Sequence, residues 1–263
     1  MKNKKVNILV TNDDGISAKG LRVLINSVKE FGNIIVVAPD SAQSAKSHSI
    51  SQSVPVSYKT IVLEENYKEY SCSGTPVDCV KIALHQILDV KPDLIVSGVN
   101  HGSNTSVSVL YSGTMAAAIE ASLNGIPGIG FSVDDYNTEA DFSKATPYIK
   151  EITKNVIKNG LPENTSLNVN FPILENISLK GIKVVRAVKG NWIEKFVSAE
   201  NPHKNDVFWL TGSFVNFEPE AEDTDEYVMK NGYVSVVPVK FDFTNYTFID
   251  ELNNWNLGKK EQS

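Results

Sequence analysis

Two adjacent aspartates directly follow the first apolar segment of the chain. Val6–Val10 is apolar apart from one asparagine, and it leads into Asn12, Asp13, Asp14 and Gly15. Two neighbouring carboxylates repel each other and raise each other's pKa unless a cation or hydrogen-bond donors offset the repulsion. Such oxygen ligands suit a hard divalent cation. A simple polar turn is the alternative, because Asp tolerates and Gly favours the left-handed backbone that turns need.

Two later apolar segments also end in polar loops. Ile34–Val37 leads into the hydroxyl-rich segment 38–49, and Leu94–Val96 leads into Ser97–Asn104, where Gly and Asn residues predict a tight turn. If these three segments are parallel strands of one sheet, their carboxyl ends lie on the same edge and their loops converge. The candidate ligands would then share one crevice.

The segments between these strands have helical patterns, as expected for a parallel sheet covered by helices. Apolar residues recur at helical spacing over 21–28, and Thr75 has the type and position of an N-cap before Pro76. A further helix is predicted from Thr114 to Asn124, with Gly125 as its stop. Ile126–Val133 follows as another strand.

The start of that later helix is a candidate anion site. Tyr111–Thr114 (Tyr-Ser-Gly-Thr) places hydroxyls and free backbone N–H groups at a helix N-terminus, where oxyanions bind favourably. Gly113 lets an oxyanion approach the backbone closely, and Ser112 and Thr114 can donate hydrogen bonds to it. Ordinary N-capping explains the same residues. The asparagines at 100 and 104 favour the binding interpretation.

Five short motifs occur in order along the chain. They are Asn12–Gly15, Ala38–Ser44, Gly74–Val80, Ser97–Asn100 and Tyr111–Thr114. By this ordered set, and by Asp223–Asp225 followed by Gly232–Pro238, the chain resembles the SurE family of metal-dependent 5'-nucleotidases. Each motif alone is weak evidence, but the set spans most of the 263 residues.

The resemblance implies a set of site residues. One divalent cation per subunit, Mg²⁺ or Mn²⁺, would be held by the oxygen donors of Asp13, Asp14, Ser44 and Asn100. Phosphate would be bound by Asn104, Ser112, Gly113 and Thr114, with Asn12 close to both metal and phosphate. The implied reaction is hydrolysis of nucleoside 5'-monophosphates, with 3'-nucleotides and short polyphosphates as further substrates. A metal-bound water would attack phosphorus, and Asp13 or Asp14 would accept its proton.

Two features of the polar loops leave roles open. The family often has Arg-x-x-Ser-Gly where this chain has Ser41–Ala45, so a positive charge is missing that Lys46 or His48 could replace. His101 is a candidate general acid, although a single histidine in a polar loop is more often a hydrogen-bonding residue.

Two other function classes fit the same residues. A metal-dependent glycosyltransferase also places carboxylates after a strand of a nucleotide-binding α/β fold, but it transfers sugar from a nucleotide donor. A non-catalytic nucleotide sensor would bind without turnover. Release of inorganic phosphate separates a hydrolase from both.

Composition predicts a globular enzyme in the cytoplasm. Hydrophobic residues make up 41% and charged residues 21% of the chain, and the formal charge of −6 argues against a nucleic-acid surface. The first apolar stretch, Val6–Val10, is too short for a signal peptide or a membrane helix. We expect the cysteines Cys72 and Cys79 to be reduced and buried rather than joined in a disulfide.

The predicted fold class is α/β, a Rossmann-like, doubly wound and mostly parallel sheet with a C-terminal β-rich extension. We expect a single domain, 1–263, made of a catalytic core, 1–160, and the extension, 161–263. Acidic residues 218–226 predict a solvated loop. The resemblance implies a hairpin and a swapped C-terminal arm, Phe241–Trp255, that form a homodimer or homotetramer. Aromatic residues able to supply that interface, or to pack within one subunit, are Trp192, Phe196, Phe208, Trp209, Phe214 and Phe217.

Overall fold

A large, mostly parallel sheet forms the centre of the computed structural model, which describes residues 5–175, 177–200, 206–255 and 257. The strands are β1 (Val6–Thr11), β2 (Gly32–Pro39), β3 (Tyr58–Leu63), β4 (Tyr67–Cys72), β5 (Leu94–His101), β6 (Gly128–Val133), β7 (Thr165–Phe171), β8 (Ile182–Val184), β9 (Gly190–Ala199), β10 (Val207–Asn216) and β11 (Val234–Lys240). The helices are α1 (Lys19–Val28), α2 (Pro76–Ile82), α3 (Gly113–Leu123), α4 (Thr146–Asn159), α5 (Asp225–Lys230) and α6 (Tyr246–Asn253).

The sheet has the strand order β3-β4-β2-β1-β5-β6-β7-β11-β8. Within it, β3 is antiparallel to β4 and β11 is antiparallel to β7, whereas the other neighbouring strands run parallel. The predicted α/β class is confirmed. The last strands of the extension, β7, β11 and β8, continue the same sheet as β1.

Helices cover both faces of this sheet, so it is doubly wound. Side chains of β1 alternate between the two faces: Ile8 and Val10 belong to the core beneath α1 and α4, and Leu9 belongs to the core beneath α2 and α3. Because both faces are buried, the strand is a continuous apolar run rather than an alternating one. Such a run is the local signal that identified β1 in the sequence.

The local end signals of two predicted helices are confirmed. The Thr75 hydroxyl accepts a hydrogen bond from the Asp78 N–H at 3.1 Å, and an Asp78 carboxylate oxygen accepts one from the Thr75 N–H at 2.9 Å. This capping box satisfies two N–H groups that the helix itself cannot bond. Helix α3 ends at Leu123, and Gly125 has the positive φ of 71° expected of a stop.

Strand β5 is longer than predicted. The expected turn at Ser97–Asn104 is wrong in its first half, because the strand continues to His101. Its pairing with β6 shifts register between Ser97 and Asn100, where Gly98 has a φ of 122°. A Cβ on Gly98 would lie 2.2 Å from the carbonyl oxygen of Phe131. The glycine that indicated a turn therefore permits an irregular, closely packed strand instead.

Strands β3 and β4 and helix α4 are among the elements that the sequence predictions do not include. Strand β4 pairs with the outer edge of β2, although its sequence is polar. Its Glu69 is buried because Arg22 donates hydrogen bonds to both of its carboxylate oxygens, at 2.7 and 2.9 Å. A charged side chain whose hydrogen bonds are satisfied in this way can be buried in a sheet, although hydrophobic periodicity does not predict a strand there. Helix α4 buries Ile149, Ile152 and Val156.

The end of the acidic segment 218–226 is not the solvated loop that we predict from sequence. Asp225 has no exposed surface and begins α5. Its carboxylate accepts hydrogen bonds from the N–H groups of Ser106, at 3.0 Å, and Val188, at 2.9 Å. Burial raises the pKa of Asp225, and these N–H donors oppose that rise. Asp225 thus links the extension to the loop after Asn104 by hydrogen bonds.

The hairpin predicted in the extension is present, and the C-terminal segment contains a helix. Strands β9 and β10 pair antiparallel in a separate two-stranded sheet, with the connection 201–205 outside the described residues. Helix α6, within the predicted arm Phe241–Trp255, has no buried residue. Residues 258–263 also lie outside the described part of the chain. Nowhere in the described ranges is a helix both long and apolar enough to cross a membrane.

Substitution of Asp225 tests the link between extension and core. Asp225→Ala leaves the N–H groups of Ser106 and Val188 buried without an acceptor, so we expect the free energy of unfolding to fall by about 2 to 4 kcal/mol. Asp223→Ala is the matched control, because Asp223 is an exposed partner of Arg186 and should cost less than about 1 kcal/mol. Urea unfolding followed by circular dichroism measures both. Equal losses for the two variants would contradict the assigned role.

Candidate active site

The candidate site lies where β1 and β5 end side by side. Strand β1 pairs parallel with β2 on one side and with β5 on the other, and Thr11 is opposite Ser97 at the carboxyl ends. The chain leaves β1 toward β2 and later returns to its other edge at β5. This is the switch point of an open α/β sheet, at which ligands bind.

Asp13 is buried between β1 and the N-terminus of α3. Its side chain is 4% exposed, and the Thr114 hydroxyl donates a hydrogen bond to its Oδ1 at 2.5 Å. Burial, and secondarily the charge of Asp14, raise the pKa of Asp13 to about 6, against the lowering effect of the Thr114 hydrogen bond. A Cβ on Gly113 would lie 2.8 Å from the Asp13 Cβ and 3.0 Å from its Oδ2. Glycine at 113 is therefore required for this close approach.

Oxygen atoms of Asp14 and Asn12 lack hydrogen-bond partners in the turn after β1. The buried atoms are Asp14 Oδ2 and Asn12 Oδ1, and the Asn12 amide nitrogen donates to the Gly15 carbonyl at 3.0 Å. Burial raises the pKa of Asp14, and His101 opposes that rise. Unpaired buried oxygens are costly unless something donates to them or coordinates them. The two atoms therefore fit a cation.

Neutral oxygens must complete any cation site here. Across the described ranges, no group of three or more His, Cys, Asp and Glu side chains is placed to hold a metal ion. Asn100 donates its amide nitrogen to the Gly102 carbonyl at 2.8 Å, which leaves its amide oxygen as the atom that can bind a cation. The loop carrying Ser44 is tied to the turn by a hydrogen bond of 2.7 Å from the Gln43 N–H to the Asp13 carbonyl.

Most of the predicted site residues meet at one cavity of about 590 Å³. Five of them line it: Asp13, Ser44, Asn100, Asn104 and Ser112. Asn12 and Asp14 follow β1 in the same turn, and Gly113 and Thr114 pack against Asp13 at the start of α3. The three loops therefore converge, as the sequence predicts.

Asn104 is held by a buried network of polar side chains. Its backbone N–H donates to Asn170 Oδ1 at 2.7 Å, its amide nitrogen donates to Ser132 Oγ at 2.8 Å, and its carbonyl accepts from Asn168 Nδ2 at 2.7 Å. Asn170 in turn donates to Asn168 Oδ1 at 2.9 Å. A fully bonded network of this kind fixes the loop and the direction of the Asn104 side chain.

The N-terminus of α3 retains two donors for an anion. The Ser112 hydroxyl oxygen accepts from the Met115 N–H at 3.0 Å, so Ser112 is the N-cap and its own hydroxyl hydrogen can point elsewhere. The Gly113 N–H belongs to the first turn, which the helix cannot satisfy. Thr114 differs from the expectation, because its hydroxyl donates to Asp13. Capping and anion binding are thus compatible at this helix end.

The two histidines considered in the sequence lie in different surroundings. His101 lines the cavity, with Nδ1 at 3.3 Å from the Asp135 carbonyl and its ring at 4.7 Å from that of Phe142. His48 is 3.0 Å from the buried Glu120, which also binds Lys81. His48 therefore contacts Glu120 of α3 and does not replace the arginine that the Ser44 loop lacks.

Sequence reasoning missed two groups of residues around the cavity. Asn168 and Asn170 are two apart on β7, so they share one face of the strand, and this spacing was a usable signal. The hairpin residues Trp192 and Leu210 also line the cavity. No local pattern indicates their contact with the loops, since the fold alone brings the extension over the carboxyl end of β1.

Comparisons with known proteins agree on one family. The model of the family described as "Survival protein SurE" matches residues 8–194. A protein of Christiangramia forsetii named 5'-nucleotidase SurE is 55% identical over 259 residues, which are 98% of this chain and 99% of the relative. A protein of the same name from Flavobacterium psychrophilum is 55% identical over 96% of this chain and 98% of its own length. The crystal structure of the SurE protein from Aquifex aeolicus matches with a TM-score of 0.80 and 34% identity, over 95% of this chain and 99% of that one.

The asparagine network is tested by hydrogen exchange. Asn170→Ala removes the acceptor of the Asn104 N–H, so we expect deuterium uptake in the peptide 100–107 to become roughly tenfold or more faster, as about 1.4 kcal/mol of protection corresponds to tenfold. Asn155→Ala is the control, because Asn155 is exposed on α4 and bonds only the Glu151 carbonyl there. Mass spectrometry of peptic peptides measures the uptake. Unchanged protection at 100–107 in Asn170→Ala would show that the network does not hold this loop.

Proposed function

Because the chain belongs to the SurE family, we propose that it is a 5'-nucleotidase that uses one bound divalent cation, Mg²⁺ or Mn²⁺. It would remove phosphate from nucleoside 5'-monophosphates, and 3'-nucleotides and short polyphosphates are further candidate substrates. The observation that supports this best is the meeting of oxygen-bearing side chains at one cavity with the start of α3: Asp13, Ser44 and Asn100 line it together with the N-cap Ser112. A cation and a phosphate would be neighbours there.

The cation would be held by oxygen atoms only. Asp13, Asp14, Ser44 and Asn100 supply two carboxylates, a hydroxyl and an amide oxygen, a set that favours Mg²⁺ or Mn²⁺ over zinc. A bound cation of this kind neutralises phosphoryl charge and lowers the pKa of a coordinated water.

Phosphate would bind at the start of α3. The Ser112 hydroxyl and the Gly113 N–H donate to its oxygens, and the second hydrogen of the Asn104 amide donates from the facing loop. The partial positive charge of a helix N-terminus favours the anion by roughly 0.3 to 1 kcal/mol when exposed and by more when partly buried. Asn104 needs no reorientation on binding, since Ser132 and Asn170 already hold it.

Of the two aspartates, we propose Asp13 as the group that would accept the proton of the attacking water. It lines the cavity, and its Oδ1 is occupied by the Thr114 hydroxyl, so Oδ2 is the acceptor. Oδ2 faces Gly113, which is where the phosphate would lie. Asp14, which is not part of the cavity lining, would serve the cation.

We also propose a homodimer or homotetramer joined through the hairpin and the C-terminal arm. In α6 and its flanks, large apolar side chains are exposed, among them Phe243 at 83% and Trp255 at 58%. Several large exposed apolar side chains within one short segment are typical of an interface. The arm Phe241–Trp255 would pack against a second copy of the chain.

For the compartment, we propose the cytoplasm. Cys72 and Cys79 are buried free thiols, as expected for a protein of a reducing environment. Fractionation of the native cells, followed by detection of the protein, tests the proposal. Recovery in the periplasmic fraction would contradict it.

One test of this proposal substitutes the carboxylates. Asp13→Asn and Asp14→Asn should each lower kcat/KM for phosphate release from nucleoside 5'-monophosphates at least about 100-fold, because each removes a charge from the cation and one removes the proton acceptor. EDTA should abolish release, and Mn²⁺ or Mg²⁺ should restore it. Asp89→Asn makes the same charge change at an exposed site away from the crevice and should leave the rate unchanged.

A panel of 5'- and 3'-monophosphates and short polyphosphate, assayed for inorganic phosphate, measures these effects. Full activity in either aspartate variant, or in EDTA, would overturn the cation site. Binding of nucleotide without phosphate release would favour a sensor. Sugar transfer from a nucleotide sugar, with no phosphate released from monophosphates, would favour a glycosyltransferase.

A separate test of this proposal concerns assembly. Deletion of the chain from Phe241 onward should lower the molar mass in light scattering by a factor of about two, because it removes the exposed apolar surface of α6 and its flanks. Circular dichroism checks that the truncated chain remains folded. An unchanged mass would disprove the role of the arm.

A further inference from the structure

One wall of the active-site cavity comes from the hairpin rather than from the loops of the sheet. Trp192, Glu194 and Leu210 of β9 and β10 line it, facing the loops that carry Asp13 and Asn100. A volume of about 590 Å³ is in the range of small-molecule sites and exceeds what a phosphate group requires. The cavity therefore has space for the remainder of a nucleotide.

The register of the hairpin explains which side chains face the cavity. Trp192 is opposite Phe214, Glu194 is opposite Gly212, and Phe196 is opposite Leu210. Residues directly opposite each other project from the same face, and so do alternate residues of one strand. One face of the hairpin thus presents an aromatic and an aliphatic group to the cavity. Between them Gly212 packs closely on the backbone of β9, and Glu194 opposite it also lines the cavity.

The indole of Trp192 is held in a defined orientation. Its Nε1–H donates to Ser108 Oγ at 3.2 Å, and its ring packs edge-to-face against Phe214, with centroids 6.1 Å apart and planes at 66°. Ser108 lies in the 3₁₀ helix Ser106–Leu110, which directly precedes the predicted phosphate ligands Ser112 and Gly113. The indole is therefore positioned relative to the phosphate end of the cavity.

A second aromatic ring also lines the cavity. Tyr136 packs directly on the backbone at Gly102, where a Cβ would be 2.5 Å from its ring. Tyr136 is 69% exposed and lines the same cavity as Trp192. The cavity is thus lined by two aromatic rings, which hydrolysis of the phosphate ester does not require.

We propose that Trp192 is the stacking platform for the base of the nucleotide, in a cavity that Tyr136 also lines. The proposal rests on the proposed function, since it assumes that phosphate binds at Ser112 and Gly113. Any base can stack on an aromatic side chain, because every base has a π face. The stacking contact grows with the area of the base, so purine nucleoside 5'-monophosphates are the preferred class. Trp192 therefore sets substrate preference, while the loops of the sheet carry the chemistry.

The test compares GMP with ribose 5-phosphate, which has the same leaving group and no base. In the unmodified protein, kcat/KM for GMP should exceed that for ribose 5-phosphate. Trp192→Ala should lower kcat/KM for GMP by roughly tenfold or more, mainly through KM, and should change that for ribose 5-phosphate less than about twofold. Trp192→Phe should retain most of the GMP preference, because it keeps an aromatic face.

Trp209→Ala is the matched control. Trp209 is opposite Val197, so it projects from the other face of the same hairpin, and it is 71% exposed. Its loss should leave the ratio of the two substrates unchanged. Equal losses for both substrates in Trp192→Ala would assign Trp192 a structural role and overturn the proposal.

Calorimetry distinguishes failure of the base site from failure of the proposed function. If the unmodified protein hydrolyses neither compound with Mg²⁺ or Mn²⁺, the nucleotidase proposal fails, and the affinities still judge the base site. GMP should bind at least about tenfold more tightly than ribose 5-phosphate, and Trp192→Ala should remove that difference. Equal affinities in the unmodified protein would overturn the base site while leaving phosphatase chemistry intact.

Discussion

The burial of the Asp13 carboxylate against the N-terminus of α3 is the interaction on which the rest of the site depends. A carboxylate taken out of water needs donors or a cation, and here the Thr114 hydroxyl donates to one of its oxygens. Glycine at 113 permits the approach, because any side chain there would collide with Asp13. The first strand and the third helix are thus set at a spacing that also brings the start of α3, the proposed phosphate site, beside Asp13. A cation and an anion could bind side by side there, each offsetting the charge of the other.

Buried polar networks from the extension hold the loop opposite Asp13. Asn170 accepts from the Asn104 N–H on one side, and Asp225 accepts from the Ser106 N–H on the other. The acceptors Asn170 and Asp225 have no exposed surface, so water would not replace a hydrogen bond lost there. The extension therefore contributes to the site in two ways. It holds this loop in place, and its hairpin, which carries Trp192, forms one wall of the cavity. Its strands β7, β8 and β11 join the central sheet, so the two halves share one core.

Signals that depend on neighbours in the sequence were sufficient to predict a large part of this structure. The apolar run of β1, the capping box of Thr75 and Asp78 and the positive φ at Gly125 each involve residues at most a few positions apart. The same locality explains the errors. Burial of Glu69 depends on hydrogen bonds from Arg22, which is 47 positions away, and burial of Asp225 depends on the N–H of Ser106, which is 119 positions away. In a sequence, a charged residue indicates solvent exposure. Only the fold shows the distant partner that permits its burial.

The sequence by itself determined the central strands β1, β2, β5 and β6 with the helices α1 to α3, the family resemblance and the residue types that can bind a cation and a phosphate. It also predicted that three loops meet, since parallel strands in one sheet must end at the same edge. Only the tertiary structure decided that Thr114 serves Asp13, that Asn168 and Asn170 orient Asn104, and that the hairpin closes one side of the cavity. Those contacts join residues from different elements, and their geometry arises from packing, which a local pattern of residue types does not encode.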